Sequence, residues 1–381
     1  MDNPNPPRIG GEIPDSPDSE VPLADCLLNR TTPDRFDEWH DEREYAKNIE
    51  NGTPYFNEAG YQPDSERHSP SKLLRCHRRQ LYSDHNAPEE EPDPSGIFWT
   101  GSKLEEELLL PFLKDTAADL GAYVQNSIWV DYSIDTHAGP LQFKGSTDPV
   151  IVDAEATPIL PTEIKTRATL DNLTSPNRTH RAQLHAYLVG LSEEYGIELR
   201  TGLIVYVSRE SLDIQTFRVD FDEAFWEDVL LEWAATHTQH RLEEELPPAT
   251  PEDEWECEYC SYRERCGEGD RNYSDATTTG LLPGYTGYPR EKLVAYFRAY
   301  PDARLTPSLA FAHPDLVDDH GVYDWECSEC DASRSWNSVE WDGNVTQPPR
   351  CPDCPKEGAI AVLRGPAAGD QLQGGDECET A

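Results

Sequence analysis

Three residues carry the clearest chemistry in this chain. Asp148 enters a short apolar segment, Pro149–Val152. Glu163 and Lys165 close a second, Pro158–Ile164, with Glu163 fifteen residues beyond Asp148. Turn residues bound each segment, and both read as buried strands. Side chains two apart on a strand share a face, so Glu163 and Lys165 point the same way. Two carboxylates and an amine gathered at strand ends can hold a hard divalent cation and place an attacking water. The chain has only eight lysines, and this is its only acidic-x-Lys triplet, so the triplet is no by-product of a lysine-rich composition. A salt-bridged pair at a strand end fits the same residues.

These strands need neighbours to position them. Segments 122–134 and 140–144 read as strands leading into the Asp148 segment. Residues 178–194 read as a helix with Ala182, Leu184, Leu188 and Leu191 apolar. Gln183 and Tyr187 are four apart on it and share a face. Segments 201–208 and 213–220 look like a strand pair, and a helix at 222–242 follows. The order helix, strands, helix, strand pair, helix predicts an α/β layer around a mixed sheet. Upstream, an acidic Pro-rich loop at 87–96 leads into GIFWTGSKLEEELLLPFL. Here Ser102 reads as a helix cap with Glu105 completing a capping box. Leu104, Leu108 and Phe112 then line the buried side.

The ten cysteines fall into four, four and two. Cys327-x-x-Cys330 and Cys351-x-x-Cys354, twenty residues apart, have zinc-ribbon spacing. Four thiolates make a closed tetrahedral site, hence a structural Zn2+ on which so small a module depends to fold. Cys257, Cys260 and Cys266 lack a fourth ligand nearby. Cys76, 181 residues upstream, is the natural candidate, and the union would staple the start of a domain to its end. An all-cysteine site of this kind suits an iron–sulfur cluster or zinc. Cys26 reads as a buried thiol and Cys378 as incidental. Around Cys76, Arg75, His77, Arg78 and Arg79 form the densest basic cluster of the chain. It fits either a solvated helix face or a grip on a nucleic-acid backbone.

Composition sets the frame. The net charge is −41, and lysine is scarce. Acid excess over the whole length suggests adaptation to a salt-rich cytosol. In molar salt the Debye length is about 3 Å, so local basic contacts decide binding and the acidity does not exclude a nucleic-acid substrate. With 36% hydrophobic residues the chain can still bury a sizeable core, and nine Trp and seventeen Tyr fit poorly with a solvating acidic segment. No transmembrane run and no apolar leader core is visible, which predicts a cytoplasmic protein without a membrane partner. In that compartment cysteines serve metals more than disulfides. The expected organisation is a disordered acidic segment 1–33, a catalytic domain 34–270, a linker with a short helix 271–320, a zinc-ribbon module 321–364 and a disordered tail 365–381.

Taken in order, these residues resemble the RecB-like branch of the PD-(D/E)xK nucleases. They look most like the CRISPR-associated family whose domain is clasped by four cysteines around a 4Fe–4S cluster. The resemblance covers roughly Ser71–Gly267 and rests on Cys76, Gly101, Asp148, Glu163 and Lys165, Gln183 and Tyr187, then Cys257, Cys260 and Cys266. It implies a restriction-endonuclease-like core, a mixed central sheet flanked by helices. In such a core Asp148, Glu163 and the carbonyl of Ile164 hold Mg2+ or Mn2+, and Lys165 assists the water. Gln183 and Tyr187 line the channel, and the four cysteines hold the cluster.

One position departs from that pattern. Relatives carry histidine four residues after the glycine, where this chain has Glu105. A glutamate is also a hard oxygen ligand, so Glu105 is either a third metal ligand or the cap described above. Arg75, Arg78, Arg79, Arg167 and Arg181, with Arg178 and His180, are candidates for backbone phosphates. The activity implied is hydrolysis of single-stranded DNA or DNA ends, as an exonuclease or flap nuclease, alongside CRISPR-adaptation or repair proteins. The competing reading is an inactive nuclease fold that binds DNA through its ribbon and basic cluster.

Overall fold

The structure, a computed structural model, describes residues 23–50, 61–253, 255–270, 273, 277–354 and 361–372. The expectations for residues 1–22, for Cys378 and for the side chain of Cys26 lie outside the described residues. The chain divides into two compact units, Met1–Glu58 and Ala59–Ala381. The first contains α1 (Leu23–Leu28) and α2 (Pro33–Glu50). Pro33 opens the second helix, where a missing N–H costs nothing. Phe36, Trp39 and Tyr45 stay exposed along it.

The second unit begins with β1 (Arg67–His68), α3 (His77–Asp84), α4 (Ser95–Leu104) and α5 (Leu110–Asp119). Then come β2 (Tyr123–Gln125), β3 (Trp129–Thr136), β4 (Gly139–Ser146), β5 (Val150–Val152) and β6 (Pro158–Arg167). Helix α6 (Arg178–Tyr195) leads to β7 (Thr201–Ser208), β8 (Ile214–Asp220), α7 (Glu223–Phe225) and α8 (Glu232–Glu243). The central sheet has the order β2-β5-β6-β7-β8, in which only β6 and β7 are parallel. A parallel pair needs a crossover, and α6 supplies it. A smaller sheet, β1-β4-β3, stands beside it. The stretch 122–134 is therefore two strands, not one: β2 joins the larger sheet and β3 the smaller. Its residue types suit a strand throughout, but nothing local tells where the pairing partner changes.

The main core joins Leu184, Leu188 and Leu191 of α6 to Val130 and Tyr132 of β3, Phe143 of β4, and Ile204 and Tyr206 of β7. Helix α6 lies so close to β3 that a Cβ at Gly190 would come within 2.6 Å of the Tyr132 ring. That ring cannot swing away, because its hydroxyl donates to the Ala186 carbonyl at 2.7 Å. Gly190→Ala is expected to cost ~1–3 kcal/mol, as overpacking does. It should lower the denaturation midpoint in urea with no change of slope.

Helices α4 and α5 form one rod interrupted by a single π turn, Glu105–Leu109. The rod begins at Ser95, so Ser102 lies inside it and caps nothing. The π turn also moves the buried stripe. One extra residue in the turn displaces everything after it, and the side chains packed on Ile164, Val205 and Val207 are Leu104, Leu109 and Leu113. The Leu108 and Phe112 expected from a regular helix are exposed.

Beyond α8 lie α9 (Trp255–Glu258) and α10 (Arg263–Cys266), then α11 (Arg290–Ala299), α12 (Pro307–Ala312) and α13 (Val317–His320). Residues 281–316 are more than a linker: Leu281, Leu293, Tyr296, Phe297, Leu305 and Leu309 pack a core of their own. The last sheet, β10 (Ser333–Arg334), β9 (Trp325–Cys327) and β11 (Leu363–Arg364) in that order, shares one core with the four C-terminal cysteines, of which Cys327 ends β9. The start of the expected tail is ordered as well. Gln371 is buried and bonds the backbone of Leu281 through both its donor and its acceptor, while Tyr323 donates to its carbonyl.

Candidate active site and cysteine sites

Strand β6 has β7 along one side, but β5 covers only its first half, pairing at Pro158–Pro161. Asp148, two residues before β5, closes the open edge: its Oδ2 accepts from the Ile164 N–H at 2.7 Å. The N–H and C=O of one strand residue point to the same edge, so the Ile164 carbonyl also faces the Asp148 side. Glu163 is fully buried. The ammonium of Lys165 pairs with its Oε1, and its Oε2 is buried with no hydrogen-bond donor. Glu105, on the first residue of the π turn, comes close enough to Asp148 and Glu163 for their charges to act on one another. The helix approaches β6 through Gly101, whose missing Cβ would lie 3.3 Å from the Thr166 hydroxyl. Glu105 thus faces the carboxylates and is no cap. The structure brings Glu105, Asp148, Glu163, Lys165 and the edge of Ile164 to one place.

The electrostatics of that place are unbalanced. Burial raises all three carboxyls, and neighbouring acids add to it at Glu163 and Glu105: Glu163 stands well above the ordinary range, Asp148 is raised, and Glu105 is pushed up to about 7. Lys165 and the Ile164 N–H work the other way on Asp148. Burial opposes the charge of Lys165, yet Glu163, Asp148 and Glu105 together raise it. One ammonium cannot neutralise one buried and two half-buried carboxylates, and Glu163 keeps an oxygen without a donor. Oxygen-only ligands with excess negative charge are what a hard divalent cation requires; the chemistry of this donor set fits one, and the three carboxylates would have to draw together around it, because their oxygens do not all lie within 4.8 Å of one another.

This imbalance gives a sign that can be checked. Without metal, the raised carboxyls keep protons in the folded chain that the unfolded chain has released. Stability should therefore fall as pH rises from 4.5, the ordinary glutamate value, through about 7. A bound cation needs the ionised forms. The rise in melting temperature on adding Mn2+ should grow over the same interval and be largest above pH 7, with most of it lost in Asp148→Asn. Scanning fluorimetry with Mn2+ and with chelator reads both; an equal shift in Asp148→Asn would place the ion elsewhere on this acidic chain.

Helix α6 props the site from behind. The Tyr187 hydroxyl donates to the Ser146 carbonyl at 2.7 Å, and the Gln183 amide donates to that hydroxyl at 3.2 Å. Both residues are buried. They hold the end of β4 from which Asp148 departs, a position that sequence spacing alone did not show. His180, which meets the Tyr206 hydroxyl at 2.8 Å, feels the charges of Lys165, Arg167 and Arg75. Of these, Lys165 belongs to the site itself. Arg178 and Arg181 turn elsewhere: Arg178 pairs with Glu252, while Arg181 lies over the Phe225 ring and 3.9 Å from Asp222.

Cys76 precedes α3, and Cys257, Cys260 and Cys266 lie on or between α9 and α10. Burial first, and then the neighbouring Cys76 sulfur among others, raise the three late thiols; Cys260 is pushed up to about 11. The Cys76 sulfur therefore stands near enough to each late thiol for their charges to act on one another. Arg78 turns inward to them, donating to the Pro247 carbonyl at 2.7 Å and to the Cys266 sulfur at 3.8 Å. Two buried networks fix this region, and sequence reasoning found neither because their members are far apart in the chain. Asp84 joins α3 to His237 and Arg241 of α8. Glu90 accepts from the backbone N–H groups of Glu264 and Arg265 at 2.7 Å each.

At the C-terminus the sulfurs of Cys327, Cys330, Cys351 and Cys354 all lie within 4.8 Å of one another, and no other three ligand atoms of such residues do so among the described residues. The Cys327–Cys354 and Cys330–Cys351 separations are 3.5 and 3.6 Å, the edges of a tetrahedron around one ion with bonds of about 2.3 Å. This quartet could hold a metal.

The sequence of residues 51–267 matches the PD-(D/E)XK nuclease superfamily. That span is more than half of the chain, and the chain belongs to this superfamily. Its members are divalent-metal nucleases, so a metal-dependent hydrolase of phosphodiesters is the activity the fold and family suggest. Among solved structures, one described as "Crystal structure of SSO0001" is 21% identical, covers 59% of this chain and 95% of that chain, and has a TM-score of 0.39. No curated protein matches. No helix among the described residues is long and apolar enough to cross a membrane.

Proposed function

We propose that this chain is a Mg2+- or Mn2+-dependent deoxyribonuclease acting on single-stranded DNA or DNA ends. The observation that carries the reading is the fully buried Glu163, with one oxygen unpaired, beside Asp148, Glu105 and Lys165. Asp148, Glu163, Glu105 and the Ile164 carbonyl hold the ion. When bound, the ion supplies a water of lowered pKa and neutralises charge building on the phosphate. Lys165, kept protonated by its carboxylate neighbours, orients the attacking water and steadies the oxygens of the pentacovalent phosphorus. Tyr187 and Gln183 keep the Asp148 segment in place. Arg75, Arg167 and His180 line the approach for the backbone, with Arg79 beyond them. Arg78 serves the cysteines instead. The presence of every charged member argues against an inactive scaffold.

Cys76, Cys257, Cys260 and Cys266 hold a 4Fe–4S cluster in this reading, and the C-terminal quartet holds Zn2+. Two features support the contrast. A single ion pulls its thiolates to the spacing of the C-terminal quartet, a spacing that the Cys76 group does not share. A guanidinium also donates to one of its sulfurs. Both centres are structural. Spacer acquisition in CRISPR adaptation and general end processing are the two settings that fit, in a salt-rich cytoplasm.

The test is end-labelled single-stranded DNA digested with Mn2+ in molar KCl by anaerobically purified protein, wild type against Asp148→Ala, with metal analysis of the same sample. Cleavage that survives Asp148→Ala would end the assignment. A colourless preparation carrying only zinc would remove the cluster and leave the nuclease.

A further inference from the structure

Between the C-terminal ribbon and the helical module before it lies a cavity of about 300 Å³. Its floor is Trp325, buried and tied through its indole N–H to the Trp336 carbonyl at 3.1 Å. Its walls are Trp341, Tyr273, Pro283, Pro348 and Val345. Trp341 is held by edge-to-face contacts with Trp325 and Phe311, ring centroids 5.4 and 5.0 Å away, and by its N–H on the Gln347 carbonyl. Ser308 and Thr346 add hydroxyls, and Arg364 stands exposed at the rim.

The charge of this lining is unusual for the chain. The sequence has 73 acidic and 32 basic residues, yet none of the described lining residues is acidic and one is arginine. Flat, rigid aromatic walls beside hydroxyls and a single guanidinium suit a planar ring that carries hydrogen-bonding groups on its edge and a negative charge close by. The volume is at the small end of ligand pockets, room for one such ring rather than for a duplex.

We propose that this cavity takes one unstacked base of a single-stranded DNA, stacked against Trp341, with the adjoining phosphate on Arg364. It is a second grip on the strand, apart from the cleavage site, and it rests on the nuclease reading for the identity of the strand. Base stacking on aromatic side chains tolerates any base, so the grip adds affinity without sequence preference. The Pro and Trp residues would also suit a proline-rich peptide, but such a peptide offers Arg364 only neutral carbonyls where a phosphate offers a charged, bidentate partner.

The experiment measures binding of fluorescein-labelled dT20 to full-length protein in an Asp148→Ala background, so that the strand is not consumed. Arg364→Glu and Trp341→Leu should each weaken binding about tenfold, the size of one lost stacking or charge contact, with four-cysteine zinc retained. Unlabelled dT20 should quench tryptophan fluorescence in the background protein and less so in Trp341→Leu. Unchanged affinity in an Arg364→Glu protein that retains its zinc would overturn the proposal, and Arg364→Gln, which puts no second carboxylate opposite Glu326, repeats the measurement without that repulsion. So would quenching by a Pro-x-x-Pro peptide and not by dT20. Cleavage by the unaltered chain is read separately. If it cleaves while both substitutions leave dT20 affinity as it was, only the pocket fails; if it does not cleave but both still weaken dT20, only the nuclease reading fails.

Discussion

Lys165→Ala should lower the rate of DNA cleavage by on the order of 100-fold or more, the loss expected for a preorganised electrostatic group at developing charge. The protein should stay folded, because the carboxylates that Lys165 now balances can take up protons instead. Burial already biases Glu163, Asp148 and Glu105 toward the neutral form. Single-turnover rates on end-labelled single strands, with a melting curve in chelator for each variant, separate chemistry from stability. Lys165→Arg should stay folded as well and keep only part of the rate, since a planar guanidinium does not put its charge where the ammonium stands. A Lys165→Ala protein that cleaves at the parental rate would refute the role given to this residue.

The second large effect concerns the C-terminal quartet. Cys351→Ser should abolish metal retention there and unfold the ribbon. The core of that module is Trp325, Cys327, Cys351, Cys354, Ala361 and Leu363, so half of its buried residues are themselves the ligands. Binding of structural Zn2+ is worth roughly 10–16 kcal/mol in small zinc modules, and that energy is folding energy. The readout is zinc content with limited proteolysis: the 325–364 region should become the first site cut. Cleavage activity at the nuclease site should persist, because that site is built on a separate core. Zinc retained in Cys351→Ser would show that the four sulfurs are not its cage.

The sequence by itself determined the order of the elements and the residues able to do chemistry. Strand alternation put Glu163 and Lys165 on one face, apolar spacing located α6 and β7 nearly to the residue, and the two CxxC pairs announced a four-thiol site. These are local signals, set by backbone geometry that neighbouring residues share. Everything that depended on a partner distant in the chain needed the fold. The open edge of β6 beside Asp148 follows from where β5 stops. The burial of Glu163 follows from packing on every side, and only the fold shows Tyr187 spent on the Ser146 carbonyl. A single extra residue in the π turn exchanged Leu108 and Phe112 for Leu109 and Leu113 on the buried face, and a helical period cannot foresee it. The fold also removed the cap reading of Glu105, because the helix begins at Ser95, and put its carboxylate near Asp148. A cap is decided by where a helix begins, whereas a cation site is decided by which charges three-dimensional folding forces together.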